Sequence, residues 1–403
     1  MMRNCFCLLL LFCLLLACNR RQRSSSDSES SVVNEIHIPE NKRFEVSSSA
    51  NESLNLRLND SIRYAVGFNV TYHEGFTRVD VRDPWNKGRL LQRYLLVGRD
   101  RPLPKVLPSG TIIRVPLRRM VVYTAVHLAE LEALGAIDEV VGVCESRYIK
   151  IPAVKVRMED GLIKDMGEAT LPNIEKMVEA GAEVVIASPF EHGGYGAVEK
   201  TGIPVIELSE YMEIDPLGRA EWIKLLALLT DHNERADSLF RETETNYLRL
   251  KTLAENVAYR PKLMTELKYG STWYVPGGES FMARIFKDAG ADYLFGYLSG
   301  AGGVPLTFET VLDKAIHADI WVAIYNRDEE MTYKSLRSDY ALYERFDAFR
   351  NRRIFGCNTN YSLYYEEAPL RPDYLLSELI AIFHPNLLPE HQFRYFSPLS
   401  NNE

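Results

Sequence analysis

The sequence has no cationic excess. Lys and Arg number 47 against 55 Asp and Glu, a formal net charge of −8, which argues against the phosphate-neutralising surface that nucleic-acid binding needs. Cysteine is scarce. Of six cysteines, Cys5, Cys7 and Cys13 fall within the first 17 residues. A disulfide framework is excluded: at most one bridge, Cys144–Cys357, can form, and two buried free thiols are the expectation. Long hydrophobic runs are missing too. The run Cys5 to Ala17 holds 13 residues, too short to span a bilayer as a helix, and no later run approaches the length of a spanning segment. The motifs of common enzymes are absent: no G-x-x-x-x-G-K-[ST] phosphate loop, no H-E-x-x-H zinc helix, no G-x-S-x-G nucleophile elbow. Gly277-Gly278-Glu279-Ser280 sets a serine beside glycines at the wrong spacing. The eight histidines are scattered, with no pair at ligand spacing on one helix. No metal site and no cofactor is expected.

What is present is ordinary globular chemistry. Hydrophobic residues are 46% and charged residues 25% of 403, enough for one or two real cores, and the length favours two domains or three. Residues 1–17 read as a signal peptide, with Arg3 as the positive n-region ahead of the apolar run. Leu15-Leu16-Ala17-Cys18 resembles a lipobox, so Cys18 is expected to carry lipid and to start the mature chain. That chain has a net charge near −9, because Arg3 is the sole charge removed. Residues 18–58 are polar and Ser-rich, a composition that cannot bury enough surface to order itself. They read as a tether to a bacterial membrane, on its periplasmic side or at the cell surface.

Residues 59–112 read as a β-rich extension. Tyr64, Val66, Phe68 and Val70 alternate with strand period, His73-Glu74-Gly75 makes a turn, and Val79, Val81 and Leu90–Val97 suggest further strands. From residue 113 short apolar runs alternate with amphipathic helices, which implies parallel sheet. Met120–Tyr123, Val140–Val143, Val184–Ala187 and Gly202–Leu208 are strands; Pro172–Ala180 is a helix. Thr124 is placed to cap a helix that Gly135 stops. Residues 113–217 thus form one lobe. Residues 218–257 are helical, broken near Asp231-His232-Asn233, and the second stretch runs about 23 residues, roughly 35 Å of rod. Strand–helix alternation then resumes through the second lobe, 258–403. The lobes repeat each other weakly. Pro172-Asn173-Ile174-Glu175 leads into Val184–Ile186 as Leu306-Thr307-Phe308-Glu309 leads into Ile320–Val322. The fold class is α/β: two lobes with parallel-type sheets, a long interlobe helix, and an extra β-rich segment.

These segments, with Glu139–Val143, Ile203-Pro204-Val205, Asp288-Ala289-Gly290 and Asp215–Trp222, resemble the substrate-binding proteins of ABC importers for metal chelates. That family includes ferric-siderophore, haem and vitamin B12 binding proteins. The resemblance covers about 113–388. It implies two lobes around a largely pre-formed cleft, a monomer that performs no chemistry, and a permease with its ATPase as partner. It also implies that Glu175 and Glu309 dock one on each lobe with that permease. A first-turn Glu also stabilises its own helix dipole by about 0.3–1 kcal/mol.

The aromatics point to the ligand. Tyr123, Tyr148, Tyr195, Trp273, Tyr274 and Tyr361 fall in or beside loops that follow strands, where ligands bind in open α/β sheets. Aromatic faces give a flat macrocycle or a catecholate chelate large contact area at low entropy cost. Arg147, adjacent to Tyr148, is a candidate partner for a ligand carboxylate, and His192 in Glu191-His192-Gly193-Gly194 a candidate contact. His127 reads as structural. Two other readings stay open at this stage. One is a chelatase-like enzyme on the same scaffold, pairing His192 with Glu191 or Glu279. The other is a scavenging surface lipoprotein without a permease.

Overall fold

The computed structural model describes residues 62–400; the signal peptide, Cys18 and the tether lie outside them. Strands β1 (Phe68–His73), β2 (Phe76–Arg82), β3 (Leu90–Gly98) and β4 (Thr111–Val115) make a sheet in that order. The first two pairings are antiparallel and β3–β4 is parallel. Gly75, at φ 85°, supplies the left-handed turn between β1 and β2. Period-two alternation turns Val79 and Val81 inward, where they join Phe68, Val70, Tyr94 and Ile113 in one core with Met120, Ile206 and Trp222. The extension is therefore welded to the first lobe.

That lobe contains β5 (Met120–Val122), β6 (Val140–Val143), β7 (Lys164–Asp165), the hairpin β8 (Gly167–Glu168) and β9 (Leu171–Pro172), β10 (Val184–Ala187) and β11 (Val205–Glu207). Its sheet runs β11-β10-β5-β6-β7, parallel throughout. Strands buried on both faces read as unbroken apolar runs, as Val184–Ala187 does. The edge at β11 is closed by the extension. The Tyr94 hydroxyl donates to the Val205 carbonyl (3.1 Å) and accepts the Glu207 N–H (2.8 Å).

The second lobe holds β12 (Lys262–Thr265), β13 (Lys268–Tyr269), β14 (Thr272–Pro276), β15 (Asp292–Tyr293), β16 (Gly303–Leu306), β17 (Ile320–Tyr325), β18 (Ile354–Asn358) and β19 (Ser397–Pro398). Its main sheet is β15-β12-β17-β18-β19, with β19 antiparallel. A small antiparallel sheet, β13-β14-β16, flanks it.

Three helices join the lobes: Pro216–Glu221, Ile223–Thr230 and Asn233–Glu255. Asp215 caps the first through the N–H groups of Leu217 and Gly218. Asp231, left-handed at φ 63°, ends the second. The third is a 23-residue rod. Ala236 near its start belongs to the first lobe's core. Tyr247, Leu250 and Ala254 belong to the second lobe's core with Leu263 and Ile320. One helix thus buries side chains in both lobes.

Residues 63–67 form a strap over this junction. The Glu221 carboxylate accepts the N–H groups of Arg63, Tyr64 and Ala65 at 2.7–3.0 Å. Glu213 accepts those of Val66 (2.9 Å) and Gly67 (2.7 Å) and the Trp222 indole (3.0 Å). Glu244, on the rod, accepts the Tyr64 hydroxyl at 2.5 Å and pairs with Arg63. Gly67 is required there, because a Cβ would come within 2.5 Å of the Trp222 ring. This explains why β1 starts at Phe68 and not at Tyr64: the strap gives its N–H groups to carboxylates, not to a neighbouring strand. Two further differences are local. Leu171-Pro172 is drawn into the hairpin, so the next helix begins at Ile174. The Thr124 hydroxyl makes no cap bond; it shares a hydrogen bond with His127 Nδ1 at 2.9 Å.

Candidate functional site

All strands of the sheet β11-β10-β5-β6-β7 run the same way, as do four of the five in the second lobe's main sheet. Each lobe therefore gathers the loops that follow its strands at one end. Those ends face each other. Lys150, after β6, reaches the Ser362 carbonyl after β18 at 3.5 Å. The helix Ala125–Leu134 packs on the helix Tyr364–Glu367, and Leu370 enters the first lobe's core. The space between these loop sets is the candidate site, at the carboxyl ends where open α/β sheets bind ligands.

Tyr123 ends β5. It is 6% exposed, and its ring meets Tyr195 edge-on at 6.5 Å. Its hydroxyl is buried with no hydrogen-bond partner among the described residues, and burial pushes its pKa up. The Tyr195 hydroxyl donates to Glu207 at 3.0 Å. Burial, then the charge of Glu207, raises its pKa as well. Both phenols are protonated donors at neutral pH. Tyr148 is exposed, with the Arg147 guanidinium 4.8 Å above its ring. Tyr361 is exposed, and its hydroxyl donates to the Asp328 carbonyl.

Two expectations need correction. Trp273 does not line a cleft. It is fully buried, its indole N–H donates to the Thr265 carbonyl at 2.9 Å, and it packs against Phe308, Trp321, Tyr343 and Phe346. The reason is the pleat of β14: Trp273 and Val275 point inward, while Tyr274 takes the opposite, half-buried face. Arg147 is not an unengaged anion receptor, because it lies 3.6 Å from both Glu145 and Glu168.

His192 stands on an exposed loop, its side chain 86% accessible and 4.0 Å from Glu191. Glu279 is used elsewhere, accepting the Gly300 N–H at 3.1 Å. Neither chelatase pairing forms a buried acid–base couple. Among the described residues no three His, Cys, Asp or Glu side chains converge as a metal site. Cys144 and Cys357 are both free and buried. Glu175 and Glu309 are exposed in first helical turns. Each lies two residues after a capping side chain, Asn173 and Thr307, and neither makes an ion pair among the described residues.

Sequence reasoning missed Glu145 and Glu266. Glu145 follows β6 at φ 54° and Glu266 follows β12 at φ 66°, one on each lobe and both left-handed. Such backbone is uncommon for Glu and costs about 1–3 kcal/mol. The Glu145 N–H donates to the Gly167 carbonyl, and its carboxylate accepts the Ala169 N–H. The Glu266 backbone is locked by Val322 and the Trp321 indole, and burial pushes its carboxyl up to about 8. No local sequence pattern marks either position. Below the strand ends lies a buried polar node. His127 Nε2 is 3.2 Å from Glu210. Burial alone would lower the His127 pKa, but the charge and hydrogen bond of Glu210 outweigh it and raise the pKa. Glu130, one turn on, is fully buried with no partner on either oxygen among the described residues, and burial drives its pKa up.

The profile described as periplasmic binding protein matches residues 120–361. The chain belongs to the periplasmic binding protein family. An uncharacterized lipoprotein of Methanocaldococcus jannaschii is 28% identical over 360 residues, 83% of this chain and 84% of its own. Solved structures share the fold, two binding proteins among them. The periplasmic haem-binding protein RhuT from Roseiflexus sp. RS-1 superposes with TM-score 0.53 at 18% identity, covering 67% of this chain and 99% of its own. The periplasmic vitamin B12 binding protein BtuF of Vibrio cholerae superposes at 0.50 and 14%, covering 66% and 96%. The family and these neighbours are described as binding proteins. Among the described residues no helix is long and apolar enough to cross a membrane.

Proposed function

We propose that this periplasmic binding protein captures a metal chelate between its lobes and delivers it unchanged to the permease of an ABC importer. The cargo classes are ferric siderophores, haem and corrinoids. The chain acts as a monomer held at the membrane by lipid on Cys18, and the importer's ATPase drives uptake. The observation that carries this reading is the rod Asn233–Glu255, whose side chains sit in both lobe cores. A stiff link limits closure, so the site suits a bulky, pre-shaped cargo. Aromatic Tyr148, Tyr195 and Tyr361 on the loops after strands support contact with such a cargo. Glu175 and Glu309, exposed and equivalently placed on the two lobes, suit docking, because rim charges set orientation and encounter rate.

The test is the absorption spectrum and metal content of the protein purified from its native host. The expected result is one metal per chain with a haem, corrinoid or ferric-siderophore spectrum; metal-free protein from cells supplied with all three refutes the reading. Docking is tested separately. Glu175→Ala with Glu309→Ala should leave chelate binding intact and abolish uptake; unchanged uptake removes the docking role.

A further inference from the structure

The charges on the facing loops distinguish among the cargo classes. Among the described residues four cationic side chains lie on or beside them, and each has a protein partner. Arg147 sits between Glu145 and Glu168. Arg327 pairs with Asp339 at 2.5 Å. Lys150 reaches the Ser362 carbonyl at 3.5 Å. Lys268 donates to the Gly270 carbonyl and lies 4.7 Å over the Tyr340 ring. A polyanionic chelate needs several cations that it can claim from water. Here it would have to displace existing partners and, at Arg147 and Arg327, leave carboxylates uncompensated.

The same ends are rich in acid: Asp165 closing β7, Glu168 in the hairpin that follows, and Asp328, Glu329 and Glu330 after β17. Glu145 and Glu266 add one carboxyl from each lobe, held in costly left-handed backbone. The accompanying faces are aromatic and exposed: Tyr148, Phe190, Tyr361 and Tyr365. The buried Tyr123 hydroxyl, lacking a partner at the end of the central strand, is a second and independent polar feature at this end. Flat apolar faces with acid and phenol groups between them suit a cargo that is apolar in body, rich in N–H donors and not anionic.

Resting on the chelate-capture reading above, we propose that the cleft selects a chelate without net negative charge and rejects polyanionic chelates. A neutral corrinoid or a cationic ferric trihydroxamate fits this description. A ferric tris-catecholate or a porphyrin with two propionates does not.

The test titrates the full chain with four probes: cyanocobalamin, ferrioxamine B, ferric enterobactin and haemin. Intrinsic fluorescence and calorimetry follow binding at low and high salt. The expected result is that cyanocobalamin or ferrioxamine B binds at least about tenfold tighter than either anion, since like-charge juxtaposition is costly. If ferrioxamine B is the ligand, its affinity falls with added salt. Glu145→Gln should narrow the discrimination several-fold without unfolding the chain, because the amide oxygen still accepts the Ala169 N–H. Ferric enterobactin or haemin binding as tightly as the other two overturns the selectivity while leaving chelate capture standing. Failure of all four refutes chelate capture itself, and the selectivity with it.

Discussion

Single residues show two kinds of aromatic side chain that the sequence cannot separate. Trp273 and Tyr274 are neighbours with similar chemistry, yet the pleat of β14 sends one into the core and the other to a half-buried face. Trp273→Ala should cost about 3–5 kcal/mol of stability, seen as a large fall in melting temperature, while the folded fraction keeps its ligand affinity. A loss of affinity at unchanged stability would return Trp273 to the site. Glu266 predicts a pH effect. Its carboxyl is raised from 4.5 to about 8 by burial, so the folded chain holds a proton that the unfolded chain has lost. The stabilisation from that proton is complete below pH 4.5 and fades as pH rises towards 8. Melting temperature should therefore fall by a few degrees across that window, and Glu266→Gln should flatten the slope. An unchanged slope would show that Glu266 titrates normally.

Among the elements, the rod was readable and the strap was not. Apolar residues at helical spacing, Ala236, Phe240, Tyr247, Leu250 and Ala254, announce the rod's buried face. Nothing announces that Glu213, Glu221 and Glu244 bind a segment some 150 to 180 residues earlier, because a Glu in a helix usually faces water. The strap packs Tyr64 with the second lobe's core, while Phe68, four residues on, belongs to the first. It is thus a second connection between lobes. Glu221→Ala leaves three part-buried N–H groups without that acceptor and should cost about 1–3 kcal/mol. Hydrogen exchange at residues 63–67 should rise by orders of magnitude in this variant. Exchange as slow as in the parent would show that the strap is held by other contacts.

At the scale of the whole molecule, the α/β class, the two lobes and the joining helix followed from periodicity and from a resemblance that the family match bears out. The residues of the site followed less well. Strand ends locate the cleft, but side-chain direction depends on register, and partner choice depends on chain folding over long separations. Arg147 shows this: its partner Glu168 lies on a hairpin that no apolar pattern marks. The molecular account reduces to a nearly constant spacing between lobes. Spin labels at Lys155→Cys and Asp313→Cys, one on each lobe and both exposed, measure that spacing by pulsed electron resonance. The account predicts one narrow distance that shifts by less than about 5 Å when the protein is loaded with its native cargo. A broad distribution that collapses by more than about 10 Å on loading would contradict it.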